Sequence, residues 1–271
     1  MPQPTGTHPF DQAIALQPLS AGRWQGTTSA DYANMIGPFG GITGANLLNG
    51  IISHEDCLGQ PISLSIHFAA PVADGDFEIS ARPVRTNRNS QHWLVEMFQH
   101  DELVAYGTAV TANRRDTWQA TDASFPDVPA AEHLEPSPIP VPVQWPNCYD
   151  IRFVDGYPGG PRNDNCPSLT RVWMRDEPPR KLDFLSLTAL CDAFFPRLFT
   201  RRPGPVAIGT VTMTIYFHAN AGQLSDIGSQ HLLGVARASH FGKGFFDQSA
   251  EMWSGEGELL ATTHQLVYFK E

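Results

Sequence analysis

No apolar run in the sequence approaches the roughly 20 residues that a bilayer-spanning helix needs. The opening stretch, MPQPTGTHPF, lacks the basic and apolar segments of a secretion signal. Cysteine is scarce. Cys57, Cys148, Cys166 and Cys191 are scattered, with no CxxC pair. This excludes a disulfide framework and a zinc ribbon, and it reads as free thiols in a reducing compartment, with the cytoplasm as the expectation. Positive charge is also short: 18 Lys and Arg stand against 28 Asp and Glu, giving a net charge of −10. A general nucleic-acid or anionic-membrane surface is thereby excluded, although a local basic patch can still hold a phosphorylated ligand. There is no GxSxG elbow, no GxxxxGK(S/T) loop, no GxGxxG turn and no HExxH pair. The ten histidines are dispersed, so neither a metal nor an organic cofactor is expected.

What the chain does have is a strand pattern that occurs twice. Segment 62–113 shows four period-2 runs, near 62–69, 76–86, 91–100 and 102–112, parted by the turn-forming ADGD, TNRNS and HDE. Segment 206–269 shows four more, near 208–218, 230–240, 244–254 and 258–269, broken by ANAGQLSDIG, FGKG and SGEGE. SIHFAAP matches TIYFHAN, setting Phe68 against Phe217. ELVAYGTAV matches ELLATTHQL, setting Ala105 against Ala261.

Each meander follows one helical pattern. The first, after Pro38, carries Ile42, Ala45, Leu48 and Ile52 on one stripe. The second, LDFLSLTALCDAFFPRLF, has Asp183 as N-cap and Leu187, Leu190, Phe194 and Leu198 at helical spacing. Pro196 must kink or end it. Short strand candidates at 23–29 and 169–175 precede the two helices. The expected fold class is α+β: a unit over 1–113, a proline-rich linker over 114–167 and a second unit over 168–271.

A long helix wrapped by an antiparallel sheet, twice in one chain, resembles the double hot-dog fold. With GPFGG opening the first helix, LCDAFFP in the second, then IGTVTMTIYFH and LLATTHQLVYF, the chain resembles the TesB-like acyl-CoA thioesterases over roughly 20–113 and 168–271. The resemblance implies cofactor-free hydrolysis of acyl-CoA or other acyl thioesters, with an Asp, a Thr and a Gln gathered around one water. Motif by motif, these fall on Asp192, Thr210 and Gln265. The resemblance also implies further assembly, and edge strands leave a homo-oligomer open.

The residues add an asymmetry of their own. Opposite Asp192, Gln265 and Thr210 in the first half stand Asn49, Ala109 and Pro61. Only the later half carries the acid, the amide and the hydroxyl. Asp192 sits near a helix C-terminus among apolar neighbours, and both features raise a carboxyl pKa toward that of a general base. The competing reading puts it on the solvated face of an amphipathic helix. Gln265 and Thr210 suit the holding of a water, but they also suit a solvent-facing sheet. His264 points to the face opposite Gln265.

For the developing oxyanion, the backbone amides of Gly40 and Gly41 are the candidates, because a glycine-rich helix N-terminus offers free donors. The same glycines suit close helix packing, and the sequence leaves both readings open. Phe39, Phe194, Phe195 and Phe199 line an acyl tunnel or form plain core. Arg85, Arg88, Arg201, Arg202 and Lys243 are loop cations of unassigned role. Two rivals stand beside the hydrolase: a hot-dog enoyl-CoA hydratase or dehydratase, and a non-catalytic acyl-binding module.

Overall fold

Strand alternation and two buried helical segments organise the whole chain. The computed structural model describes residues 7–137, 139, 142–160, 162–202 and 206–270. In chain order the helices are α1 (Pro9–Ala13), α2 (Gly40–Ile52), α3 (Phe184–Leu190) and α4 (Ala221–Ile227). The first-half strands are β1 (Gln17–Ser20), β2 (Arg23–Thr27), β3 (Gln60–Phe68), β4 (Asp76–Thr86), β5 (Ser90–Gln99) and β6 (Glu102–Ala112). The rest are β7 (Tyr149–Asp155), β8 (Thr170–Asp176), β9 (Ala207–Phe217), β10 (Leu232–Arg237), β11 (Phe241–Gly242), β12 (Phe245–Trp253) and β13 (Leu259–Lys270).

These strands form one antiparallel sheet in the order β1-β2-β4-β5-β6-β3-β9-β13-β12-β10-β8-β7, with β11 added beside β12. Read outward from the central β3–β9 pair, the two halves list equivalent strands in equivalent order. The registers agree as well. Phe68 pairs with Ala105, and Phe217 pairs with Ala261. Bulges recur at matching points: Pro61/Ser63 against the Leu266/Val267 step opposite Thr210 and Thr212, and Met97/Phe98 against Met252/Trp253. A one-residue slip would turn every side chain to the other face, so shared bulges are strong evidence of one pattern used twice.

The sheet wraps α2 and α3. Every residue of α3 is buried, as are ten of the thirteen in α2, so both helices are enclosed on all sides instead of presenting a single stripe. Glycine lets them touch: a Cβ built on Gly41 would lie 2.6 Å from the Ala189 carbonyl oxygen. Asp183 caps α3 as expected, accepting the Ser186 N–H at 2.8 Å.

Three expectations change. The second helix stops at Leu190, well before Pro196. The Asp192 and Ala193 amides bond three residues back and Phe194 bonds two back, so the chain tightens into turns that lead to the proline. The break ANAGQLSDIG holds α4, capped by a reciprocal Asn220/Gln223 box. The segment expected as linker contains β7, the counterpart of β1, held against β8 from Tyr149↔Asp176 to Asp155↔Arg171. Arg114 closes the seam between the halves, donating to the carbonyls of Pro61, Phe217 and His218. Among the described residues no helix is long and apolar enough to cross a membrane.

Candidate active site

The turn after α3 carries the acid. Asp192 lies two residues beyond the helix end and is buried, with 9% of its surface exposed, so the solvated-face reading does not hold. Burial pushes its carboxyl up to about 7, opposed by a hydrogen bond from Gln265 and by the Gly41 backbone N–H. Gln265 Nε2 donates to Asp192 Oδ1 at 2.8 Å, and Thr210 Oγ1 donates to Gln265 Oε1 at 3.1 Å. Hydroxyl, amide and acid therefore form one chain from β9 through β13 to the turn. Gln265 is buried and His264 is exposed, as alternation along the strand requires.

The first half contributes the other wall. Gly40 and Gly41 open α2 directly against the acid, and a Cβ added at Gly40 would lie 2.7 Å from Asp192 Oδ2. The carboxylate thus meets the N-terminus of a 13-residue helix, where an anion is favoured. The Gly41 backbone N–H lies close enough to favour the ionised form of Asp192. Gly41 also packs against α3, as the close-packing reading of these glycines requires.

Phe39, Phe194 and Phe195 are buried and Phe199 is half-buried. Phe39 stacks on Trp145 at 4.4 Å between centroids, and Phe194 packs over Gly234. Arg85 bonds Asn87, Arg201 lies over the Phe241 ring and Arg202 pairs with Asp164. Cys191 is fully buried, which holds its thiol far above the usual value and removes it as a nucleophile.

Two polar residues of the inner face escaped the sequence reading. Gln248 on β12 is buried directly opposite Gln265, and it accepts a hydrogen bond from Arg197 Nε at 3.2 Å. Arg197 is 0% exposed. A signal existed: Gln248 interrupts the otherwise apolar inward row Phe246, Gln248, Ala250, Met252.

The first half has no such row. By register, Pro61, Ala109 and Trp93 occupy the positions of Thr210, Gln265 and Gln248. Asn49, matched to Asp192, donates to the Ile14 carbonyl at 2.7 Å and accepts from Ser53.

The model of the acyl-CoA thioesterase N-terminal domain matches residues 29–112, and that of the C-terminal domain matches residues 120–269. The chain belongs to the acyl-CoA thioesterase family of these two domain models. The C-terminal match begins inside the segment expected as linker, in keeping with β7 being part of the second sheet half. A crystal structure of a conserved hot-dog-fold protein of unknown function from Alicyclobacillus acidocaldarius is 45% identical. It covers 98% of this chain and 99% of its own, with a TM-score of 0.94. Two more distant structures share the fold. The acyl-CoA thioesterase II TesB2 from Mycobacterium marinum is 17% identical, with a TM-score of 0.75 and 96% and 98% of the two chains covered. The tesB protein of Mycobacterium avium subs paratuberculosis is 16% identical, with a TM-score of 0.77 and 98% and 100% covered. No curated protein matches the chain.

Proposed function

We propose that this protein hydrolyses acyl-CoA or related acyl thioesters at one composite site per chain, with Asp192 as general base. The observation that carries the reading is the hydrogen-bonded Thr210–Gln265–Asp192 chain, whose amide and acid are buried, with burial pushing the acid up to about 7. A base works best when its pKa lies near the operating pH. Gln265 fixes one carboxylate oxygen, which leaves Oδ2, beside Gly40, to accept a proton from water. The second lone pair of Gln265 Oε1 and the Thr210 hydroxyl orient that water.

As the water oxygen bonds to the thioester carbonyl carbon, its proton passes to Asp192 and the carbonyl oxygen becomes anionic. Collapse breaks the C–S bond, and Asp192 returns the proton to the departing thiolate. The products are a carboxylic acid and a free thiol, with no cofactor consumed. The N-terminus of α2 brings the first half into the site, so neither unit works alone. The duplicated units are 1–113 and 168–271, and the segment 114–167 adds β7 to the sheet of the second.

A hydratase reading needs an Asp/His pair, and among the described residues the side chain bonded to the Asp192 carboxyl is that of Gln265. The test is thiol release from a panel of acyl-CoA chain lengths. Asp192→Asn should abolish turnover without loss of fold. A variant that keeps most of the activity overturns the assignment. Acyl-CoA-induced thermal stabilisation without turnover by the wild-type chain supports a binding module instead.

A further inference from the structure

The inner face of the second half holds a second amide that the water-activating trio does not use. Gln248 and Gln265 are direct cross-strand partners on β12 and β13. Their side chains share one face, with Cβ atoms about 5 Å apart. Gln265 is engaged at both ends. Gln248 is engaged at its oxygen, which faces the Arg197 guanidinium. Arg has donors and no acceptor, so this contact fixes which end of the amide is which. The Gln248 NH2 must point away from the guanidinium.

The turn DAFFPR connects the two amides. Its first residue, Asp192, bonds Gln265, and its last, Arg197, bonds Gln248. Among the described residues, buried Arg197 has no carboxylate partner. Its acceptors are the carbonyls of Phe195 and Ser168 and the Gln248 oxygen, and its guanidinium lies over the Phe195 ring. A buried cation satisfied only by neutral groups is costly to keep. It contacts Gln248, the cross-strand partner of Gln265.

We propose that Gln248 binds the carbonyl oxygen of the acyl thioester through its NH2 group, and that Arg197 is the residue that positions it. The proposal rests on the thioesterase reading. It supplies a side-chain donor from the second half, besides the amides at the N-terminus of α2. As water attacks, the carbonyl oxygen takes up negative charge against Nε2–H. The guanidinium behind Oε1 polarises the amide and strengthens that donor. In the first half the equivalent position is filled by Trp93, whose indole N–H is bonded to Thr111.

Two variants test this. Gln248→Glu keeps the shape and tightens the contact with Arg197, but it removes the donor. Gln248→Met removes both contacts at similar size. Kinetics are measured on the alkaline plateau, where a displaced Asp192 titration does not contribute. Both variants should lose about 10²–10³ in kcat, as for loss of one oxyanion donor, with KM changing much less. The Glu variant should melt at or above the wild-type temperature. Arg197→Lys should also lower kcat, and adding it to Gln248→Met should cost little more, because the two act as one unit.

If Gln248→Glu keeps kcat within about threefold while Asp192→Asn is inactive, this inference alone fails. A Glu variant that does not fold also overturns it, because Gln248 is then only a structural partner of Arg197. A wild-type chain that hydrolyses no thioester overturns the thioesterase reading and this proposal with it.

Discussion

Replacing Asp192 with asparagine should separate the energetic cost of its charge from its work in turnover. In the folded protein, burial holds the carboxyl at about 7, against an ordinary value of 3.8. At 1.36 kcal/mol per pH unit, that difference corresponds to roughly 4 kcal/mol. The sign follows from proton counting. Between about pH 4 and pH 7 the unfolded chain has released this proton while the folded chain still holds it. The stability from this group is therefore complete below the unfolded value and is lost as pH rises through the folded one.

Asparagine does not titrate, so its stability carries no such slope. The stability of Asp192→Asn relative to wild type should rise with pH, by about 3 kcal/mol between pH 5 and pH 8. Asp176, which burial pushes up to about 6, is present in both proteins and cancels. Urea unfolding followed by tryptophan fluorescence at pH 5, 6, 7 and 8 gives the four differences. Stability curves that run parallel across that range refute the claim that the buried carboxyl titrates near neutrality.

Wild-type kcat should rise with pH and level off above about 7, because the proposed base acts in its ionised form; a profile flat from pH 5 to 9 contradicts this. Gln265→Leu removes a bond that favours the carboxylate, so the kcat profile should move to higher pH and its plateau should fall at least tenfold. Gly40→Ala places a methyl 2.7 Å from Asp192 Oδ2 and must displace the acid, so kcat should drop at least tenfold while circular dichroism stays native. Asp150 on β7 accepts from Arg152, Arg175 and His231. Asp150→Ala should destabilise the protein by about 3–5 kcal/mol in urea unfolding, against under about 1 kcal/mol for a residue of a passive linker.

Most of the fold was legible because strand alternation and turn residues are local signals. The expected strands over 76–86 and 102–112 coincide with β4 and β6, and the others lie within a few residues of the observed ones. The missed elements are those whose stability comes from tertiary contact. Phe10 of the five-residue α1 packs against Tyr32 and beneath the Arg180 guanidinium, and the α1 residue Asp11 pairs with Arg180, partners far along the chain. β7 reads as irregular until β8 is beside it.

At the site, the Asp192, Thr210 and Gln265 assignments came from motif likeness and from comparing the halves. Their hydrogen bonding needed the β9–β13 register and the position of the turn after α3. Gln248 was readable as a polar break in an apolar row. Arg197 was not, because an arginine just after a proline gives no sign that it will be buried.

The asymmetry between the halves has a physical basis in side-chain volume and polarity. At matched positions the second half carries Thr210, Gln265 and Gln248, where the first carries Pro61, Ala109 and Trp93. A tryptophan opposite an alanine fills the space that the second half gives to two amides, and its ring meets His54 edge-on at 5.1 Å. Pro61 removes both a hydroxyl and a backbone donor at the bulge where Thr210 reaches inward. Yet the first half is not inert, because Gly40 and Gly41 lie against the acid across the interface between the helices. A helix N-terminus needs no side chain to favour an anion. One half can therefore lack the hydroxyl and both amides at the matched positions and still supply a wall of the other's proposed site. On this reading the duplicated units stay together because the active site lies between them, and restoring glutamine at Ala109 alone would not create a second one.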